Sequence, residues 1–112
     1  MADERDCPKC PFSPMDEIHH GDMVIEECPK CKGRWFDFDE LAKSVTNRAA
    51  FEAAVAKGAL KPRPGEAKCP VCLSDMQNGG LGSEFLRVDQ CPGHGFWLDE
   101  SELRLLDKLL AS

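Results

Sequence analysis

The chain has 112 residues, a formal net charge of −6 and seven cysteines. An acidic balance opposes general attraction to phosphate backbones, and the longest apolar run, Leu103 to Leu110, is too short and too interrupted by charge to span a bilayer. The start, Met1 to Asp6, has neither a basic stretch nor an apolar run, which predicts no secretory leader and a cytoplasmic setting, where paired cysteines hold metal more often than disulfides.

The first signal along the chain is Cys7-Pro8-Lys9-Cys10, answered by Cys28-Pro29-Lys30-Cys31. The two pairs are seventeen residues apart (11–27), the spacing of a tetrahedral metal site that clamps a hairpin. Proline after the first cysteine presets its own backbone angle, so the following amide N–H groups can curl toward the sulfur. Between the pairs the pattern predicts an extended arm, a turn around His19-His20-Gly21-Asp22 and a return strand through Met23-Val24-Ile25. The two histidines are read as solvated turn residues, since the first set of ligands is already full, and Met15, Met23 and Met76 as core filler.

Trp35-Phe36-Asp37-Phe38-Asp39-Glu40-Leu41 follows the second pair. Asp37 and Glu40 form a capping box, which predicts a helix over 38–45. Asn47 caps a second helix that ends at Gly58. Lys61-Pro62-Arg63-Pro64-Gly65-Glu66 then reads as an extended linker.

The plan is then repeated. Cys69-Pro70-Val71-Cys72 and Cys91-Pro92-Gly93-His94 are eighteen residues apart (73–90), with a hairpin reversal predicted near 78–82 at Asn78-Gly79-Gly80 and a return strand at Phe85-Leu86-Arg87-Val88. Trp97-Leu98-Asp99-Glu100-Ser101-Glu102-Leu103 repeats the capping box and predicts a helix over 100–110. Its leucines 103, 105, 106, 109 and 110 cover more than one stripe, so this helix is expected to pack on the other half, on a second copy or on a partner.

With His94 as the eighth ligand, every cysteine is used. The sets are Cys7, Cys10, Cys28 and Cys31, and Cys69, Cys72, Cys91 and His94. Thiolate and imidazole are the preferred donors of zinc, and four of them close the coordination sphere, which is the mark of a structural site. Iron held by similar knuckles is the inorganic alternative. Two zinc centres bring the loaded chain to about −9, since bound cysteines are thiolates. Lys9, Lys30, Lys32 and Arg34 surround the all-cysteine site; they compensate its charge and are candidate partner contacts. Trp35 and Trp97 are each expected to cover their own metal centre.

The fold class that follows is a small metal-stabilised α+β protein of two tandem zinc ribbons, each followed by a short helix. Residues 1–60 form the first ribbon plus helices, 61–68 the Pro/Gly linker, and 69–112 the second ribbon plus the C-terminal helix. The repeated phrase Cys-Pro-x-Cys, return strand, Cys-Pro-x-Cys/His, then Trp-Phe/Leu-Asp-x-x-Glu-Leu resembles the TFIIB-type zinc-ribbon family over residues 7–45 and 69–110. That resemblance implies zinc at the seven cysteines and a transcription-associated or protein-contact role. His94 departs from the family's usual fourth cysteine, and Asp39 and Ser101 stand where the family typically has glycine. No phosphate-cradling loop and no nucleophile constellation is present, so the expectation is a non-catalytic module whose partner is another protein. Nucleic-acid binding through the first knuckle with Lys57, Lys61, Arg63 and Lys68, and zinc transfer or thiol-based redox response, are the alternatives. Self-association would run through the C-terminal helix.

Overall fold

The computed structural model describes residues 6–10, 13–20 and 23–111. Among them, seven strands join in one antiparallel sheet: β1 (Asp16–His20), β2 (Met23–Glu27), β3 (Arg34–Phe36), β4 (Leu60–Lys68), β5 (Asp75–Gly80), β6 (Arg87–Cys91) and β7 (Gly95–Leu98). The spatial order is β1-β2-β3-β7-β6-β5-β4. Each half builds a three-stranded ribbon, and the two ribbons join edge to edge where β3 pairs with β7. The register there is Arg34↔Leu98, Trp35↔Trp97 and Phe36↔Phe96. The repeat therefore closes on itself as an internal pseudo-twofold, with the two tryptophans at its centre and β4 added outside it.

The period-2 alternation of strands divides the side chains between two faces. Phe36, Phe96 and Leu98 join Ile25 and Val88 on a face covered by the helices α1 (Phe38–Ser44), α2 (Arg48–Ala56) and α3 (Glu100–Ala111). Trp35 and Trp97 point the other way, into a cluster with Met15, Met76, Ala67 and the ligands Cys7, Cys28, Cys69 and Cys91. Both metal-ligand sets and both indoles thus share one face, while the aliphatic core lies on the opposite face.

The helix starts follow the local chemistry of their caps. Asp37 accepts from the Glu40 amide at 2.8 Å while Glu40 accepts from the Asp37 amide at 3.0 Å, and Asp99 and Glu102 make the same exchange at 2.7 and 3.0 Å. Asn47 accepts from the Ala50 amide at 3.0 Å and donates to the Leu110 carbonyl at 3.3 Å, so the cap of α2 also serves the end of α3. Thr46 donates its amide to Asp107 at 2.7 Å. Of the helix's leucines, Leu106 and Leu110 are buried and Leu103 partly so, whereas Leu105 and Leu109 stay exposed. The terminal helix packs on the first half.

Several elements differ from the sequence expectation. Asn78, Gly79 and Gly80 lie within β5, and the reversal falls later, between Leu81 and Leu86, with Gly82 at φ 77. Asn78 is needed in the strand because its side chain accepts from Arg87 at 3.0 Å and donates to Asp89 at 3.2 Å. Gly80 is needed beside the turn because a Cβ there would lie 2.4 Å from the Ser83 carbonyl oxygen. Phe85 sits in the turn and is 90% exposed. The stretch read as a linker, 61–68, is hydrogen-bonded to β5 as the bulged edge strand β4, a place that tolerates Pro62 and Pro64 because an edge strand has one unpaired side. Residues 21 and 22 of the first expected turn lie outside the described residues, and the hairpin register runs to His20↔Met23.

The join between the ribbons depends on two glycines at equivalent places. A Cβ on Gly33 would lie 2.3 Å from the Trp97 ring, and one on Gly95 would lie 2.2 Å from the Phe36 carbonyl and 3.0 Å from the Trp35 ring. Gly33→Ala is expected to destabilise the chain by about 1–3 kcal/mol, the usual cost of overpacking. Thermal denaturation of the metal-loaded protein checks it, with Gly58→Ala as a comparison whose cost is confined to backbone conformation, since Gly58 has φ 79 and open space around its Cβ position.

Candidate metal centres

The first centre is built by two knuckles at the entrance of β1 and the exit of β2. The Cys7 amide donates to the Ser13 carbonyl and the Cys28 amide to the Gly33 carbonyl, both at 2.9 Å, closing each loop around its ligands. Inside the loops the Lys9 amide donates to Cys7 Sγ at 3.3 Å and the Lys30 amide to Cys28 Sγ at 3.4 Å. The third knuckle repeats both features: Cys69 amide to Ser74 carbonyl at 2.8 Å, and Val71 amide to Cys69 Sγ at 3.3 Å. The Cys-Pro-x-Cys spelling thus does what its chemistry predicts.

The fourth knuckle is different. Cys91 ends β6, Gly95 begins β7, and the two are register partners, so Pro92-Gly93-His94 is the turn of a tight hairpin with Gly93 at φ 90. The His94 amide donates to the Cys91 carbonyl at 3.0 Å. His94 therefore presents its imidazole from a hairpin tip, with Nδ1 3.4 Å from Cys91 Sγ.

The structure gathers all eight side chains expected as ligands into two groups, Cys7, Cys10, Cys28 and Cys31, and Cys69, Cys72, Cys91 and His94, with the ligand atoms of each within 4.8 Å of one another. Cys7 and Cys31 sulfurs stand 3.7 Å apart, as do those of Cys72 and Cys91. Zinc–sulfur bonds of about 2.3 Å in a tetrahedron place sulfurs about 3.8 Å apart, so the donor sets fit zinc. Each group supplies two close pairs from opposite sides. In both, the first cysteine of each pair is buried, which shields the centre on the sheet side, while Cys31 and Cys72 face solvent.

The thiols within each centre are tuned apart. Burial works against the Cys28 thiolate, but amide donors from Cys31 and Lys30 prevail and bring its pKa down to about 6. The amide and hydroxyl of Ser74 bring Cys72 down to about 6. Burial pushes Cys91 up to about 12 and raises Cys7 as well. Cys28 and Cys72 are therefore ready as thiolates at neutral pH, and the buried Cys7 and Cys91 give up their protons when metal takes their place.

The cations expected around the first centre separate into two kinds. Lys9 reaches across to the second half, where its ammonium lies 3.1 Å from the buried carboxylate of Asp89 on β6. Burial lowers the affinity of Lys9 for its proton, yet the Asp89 carboxylate outweighs it and holds the lysine above its ordinary range. Arg34 pairs with Glu27 at 3.0 Å. Lys30 and Lys32 stand exposed, Lys32 at φ 64 where its knuckle ends. A cleft of about 580 Å³ lies beside the Lys9–Asp89 pair, lined also by Arg63, Pro64 and Asn78.

Where each indole is expected to cover its own centre, both rings share one cluster with Cys7, Cys28, Cys69 and Cys91, and each also packs on the other half, the Trp97 ring on Gly33 and the Trp35 ring on Gly95. Antiparallel pairing across the pseudo-twofold carries each ring past its partner's strand. Sequence reasoning missed Asp89 and the packing roles of Gly33 and Gly95. A signal for the glycines was present, since both halves read Gly-x-Trp after the last ligand; nothing local marked Asp89.

Residues 6–46 match the family model described as Transcription factor zinc-finger, so the first half is similar to that family. The second set lies beyond that match and stands on its ligand cluster. No curated protein and no solved structure matches the chain. Among the described residues, no helix is long and apolar enough to cross a membrane. The donor sets and the family match together define a zinc-binding module of small α+β architecture with room for two ions.

Native mass spectrometry is expected to find two zinc ions per chain, and Cys69→Ser to lose the second. Chelation should collapse the circular dichroism signal, because the buried ligands are also core residues. Zinc affinity is expected to rise with pH across the neutral range, since Cys7 and Cys91 are still protonated there and must lose that proton on binding. Competition with a chelating dye at pH 6.5 and at pH 8 checks the sign.

Proposed function

We propose that the chain is a non-catalytic protein-interaction module, associated with transcription, in which two structural zinc ions hold the contact surfaces in shape. The observation that carries this reading is the closure of both donor sets: four protein ligands each, which leaves no position for a metal-bound water. The family match over the first half supports the transcription association.

The disposition of charge supports a protein partner over nucleic acid. Of the cations that would form a phosphate-binding surface, Lys9 and Arg34 are committed to Asp89 and Glu27, Lys61 pairs with Glu84 at 3.1 Å, and Lys68 pairs with Asp75 at 3.1 Å. Apolar side chains stand exposed instead: Val71 and Leu73 on the third knuckle, Phe85 at the turn and Leu105 on α3. The second reading, nucleic-acid contact through the first knuckle and the linker cations, draws its support from the exposed Lys30 and Lys32 on the neighbouring knuckle of the same centre.

Two measurements separate these readings. The metal-loaded chain is expected to pass through heparin at low salt; retention that weakens with salt and disappears in Lys30→Glu/Lys32→Glu supports nucleic-acid binding and overturns the adaptor reading. In affinity capture, a defined protein partner should be retained by the zinc-loaded chain and lost by Leu73→Ser/Phe85→Ser with both zinc ions still bound. Equal capture by that variant would remove these side chains from the contact surface.

A further inference from the structure

The two metal centres lie in one structural unit, and several contacts between the halves fall on the loops that carry the ligands. The Trp97 ring packs on Gly33, whose carbonyl accepts the Cys28 amide and thereby closes the second knuckle of the first centre. The Trp35 ring packs on Gly95, the residue after His94, at the fourth knuckle of the second centre. Each indole thus supports the last ligand loop of the other half. A second link runs through Lys9, which sits between Cys7 and Cys10, donates its amide to Cys7 Sγ and holds Asp89 with its ammonium. Asp89 is the register partner of Trp97 and lies two residues before the ligand Cys91. Four ligand cysteines, Cys7, Cys28, Cys69 and Cys91, share a single apolar cluster with the two tryptophans, so neither centre has a core of its own on this face.

Metal binding orders the loops that supply the ligands, and the free energy of that ordering is paid once for any surface the two centres share. We propose that the two centres fill as a pair: zinc at either one raises the affinity of the other, through the crossed tryptophans and the Lys9–Asp89 bridge. The inference rests on the eight-ligand metal assignment and is independent of the choice of partner. Coupling between two sites is reciprocal, so loss of metal from the solvent-facing side of either centre loosens both. Lys9, Trp35 and Trp97 act as positioning residues in this scheme, holding ligand loops without touching the ion.

The test is a titration of the full-length metal-free chain with zinc alone, followed by native mass spectrometry. Independent centres of equal affinity give about half of the molecules one ion at half-saturation, and unequal ones give more; coupled filling gives clearly less than the independent value. Because the two donor sets differ, the reference is the one-zinc fraction expected from the separate affinities of the two centres, measured in Cys72→Ser and in Cys10→Ser; a wild-type fraction at or above that reference would overturn the proposal. Lys9→Met keeps all eight ligands, so it is expected still to bind two ions at saturation while its one-zinc species rises toward the independent value; a one-zinc fraction no different from the wild type would overturn the role given to the bridge. Cobalt as a spectroscopic stand-in separates the centres, because four-sulfur and three-sulfur-one-nitrogen sites have different ligand-field bands. Cys72→Ser, which removes a ligand of the second centre, is expected to weaken cobalt binding at the four-sulfur centre by about tenfold or more. Unchanged binding there would overturn the coupling. A wild-type chain that takes up fewer than two ions at saturation would overturn the metal assignment itself.

Discussion

Antiparallel pairing of two short strands, Arg34–Phe36 and Gly95–Leu98, is the constraint on which the rest of the molecule depends. A three-stranded ribbon of this size buries too little surface to hold itself together, which is why such units lean on metal or on a neighbour. Here they lean on both. Joining β3 to β7 removes one exposed edge from each ribbon, places all four residues of β7 in the interior, and sends alternate side chains into two different environments. Phe36, Phe96 and Leu98 supply the floor for the helices, while Trp35 and Trp97 supply the floor for the metal centres. The close approach at the join requires glycine at 33 and 95, because the space a Cβ would need is taken by a ring or a carbonyl from the opposite half.

The electrostatic design follows from this placement. A four-thiolate zinc centre carries about two negative charges, and a three-thiolate centre with neutral histidine about one. The more negative centre has Lys9 and Lys30 within its knuckles, and both donate backbone N–H to its sulfurs. Compensation by Lys9 is shared, since its side chain also satisfies the buried Asp89. A buried carboxylate is costly without such a partner. Lys9, Arg34, Arg48, Lys61 and Lys68 thus pair with acids of the chain itself, while Leu73 and Phe85 stand exposed.

Much of the candidate site was legible before any coordinates. Ligand identity follows from pairs at fixed spacing, knuckle shape from the proline after the first cysteine, and helix starts from Asp37, Asn47 and Asp99, because all of these are interactions between residues close in the chain. Strands β3 and β7 were missed for the opposite reason. Each has a near partner, β2 for β3 and β6 for β7, but the pairing that joins the copies links segments some sixty positions apart, and the segments are too short to show a strand period of their own. The edge strand β4 was hidden by its two prolines, which argue against a central strand but not against an edge. The displaced turn at 81–86 shows the same competition: Asn78-Gly79-Gly80 has good turn chemistry, and hydrogen bonds from Asn78 to Arg87 and Asp89 draw it into the sheet.

By itself, then, the sequence determined the donor sets, the metal they suit, the caps and the doubling of the plan, since each is written in spacings of a few residues and in side-chain chemistry that needs no distant partner. Tertiary structure alone decided that the two copies form one sheet, that each tryptophan supports the other copy's ligand loop, and that Lys9 faces Asp89 and not an outside partner. Those outcomes depend on strand pairing between distant segments, and an antiparallel join between two copies of one motif exchanges their neighbours by symmetry.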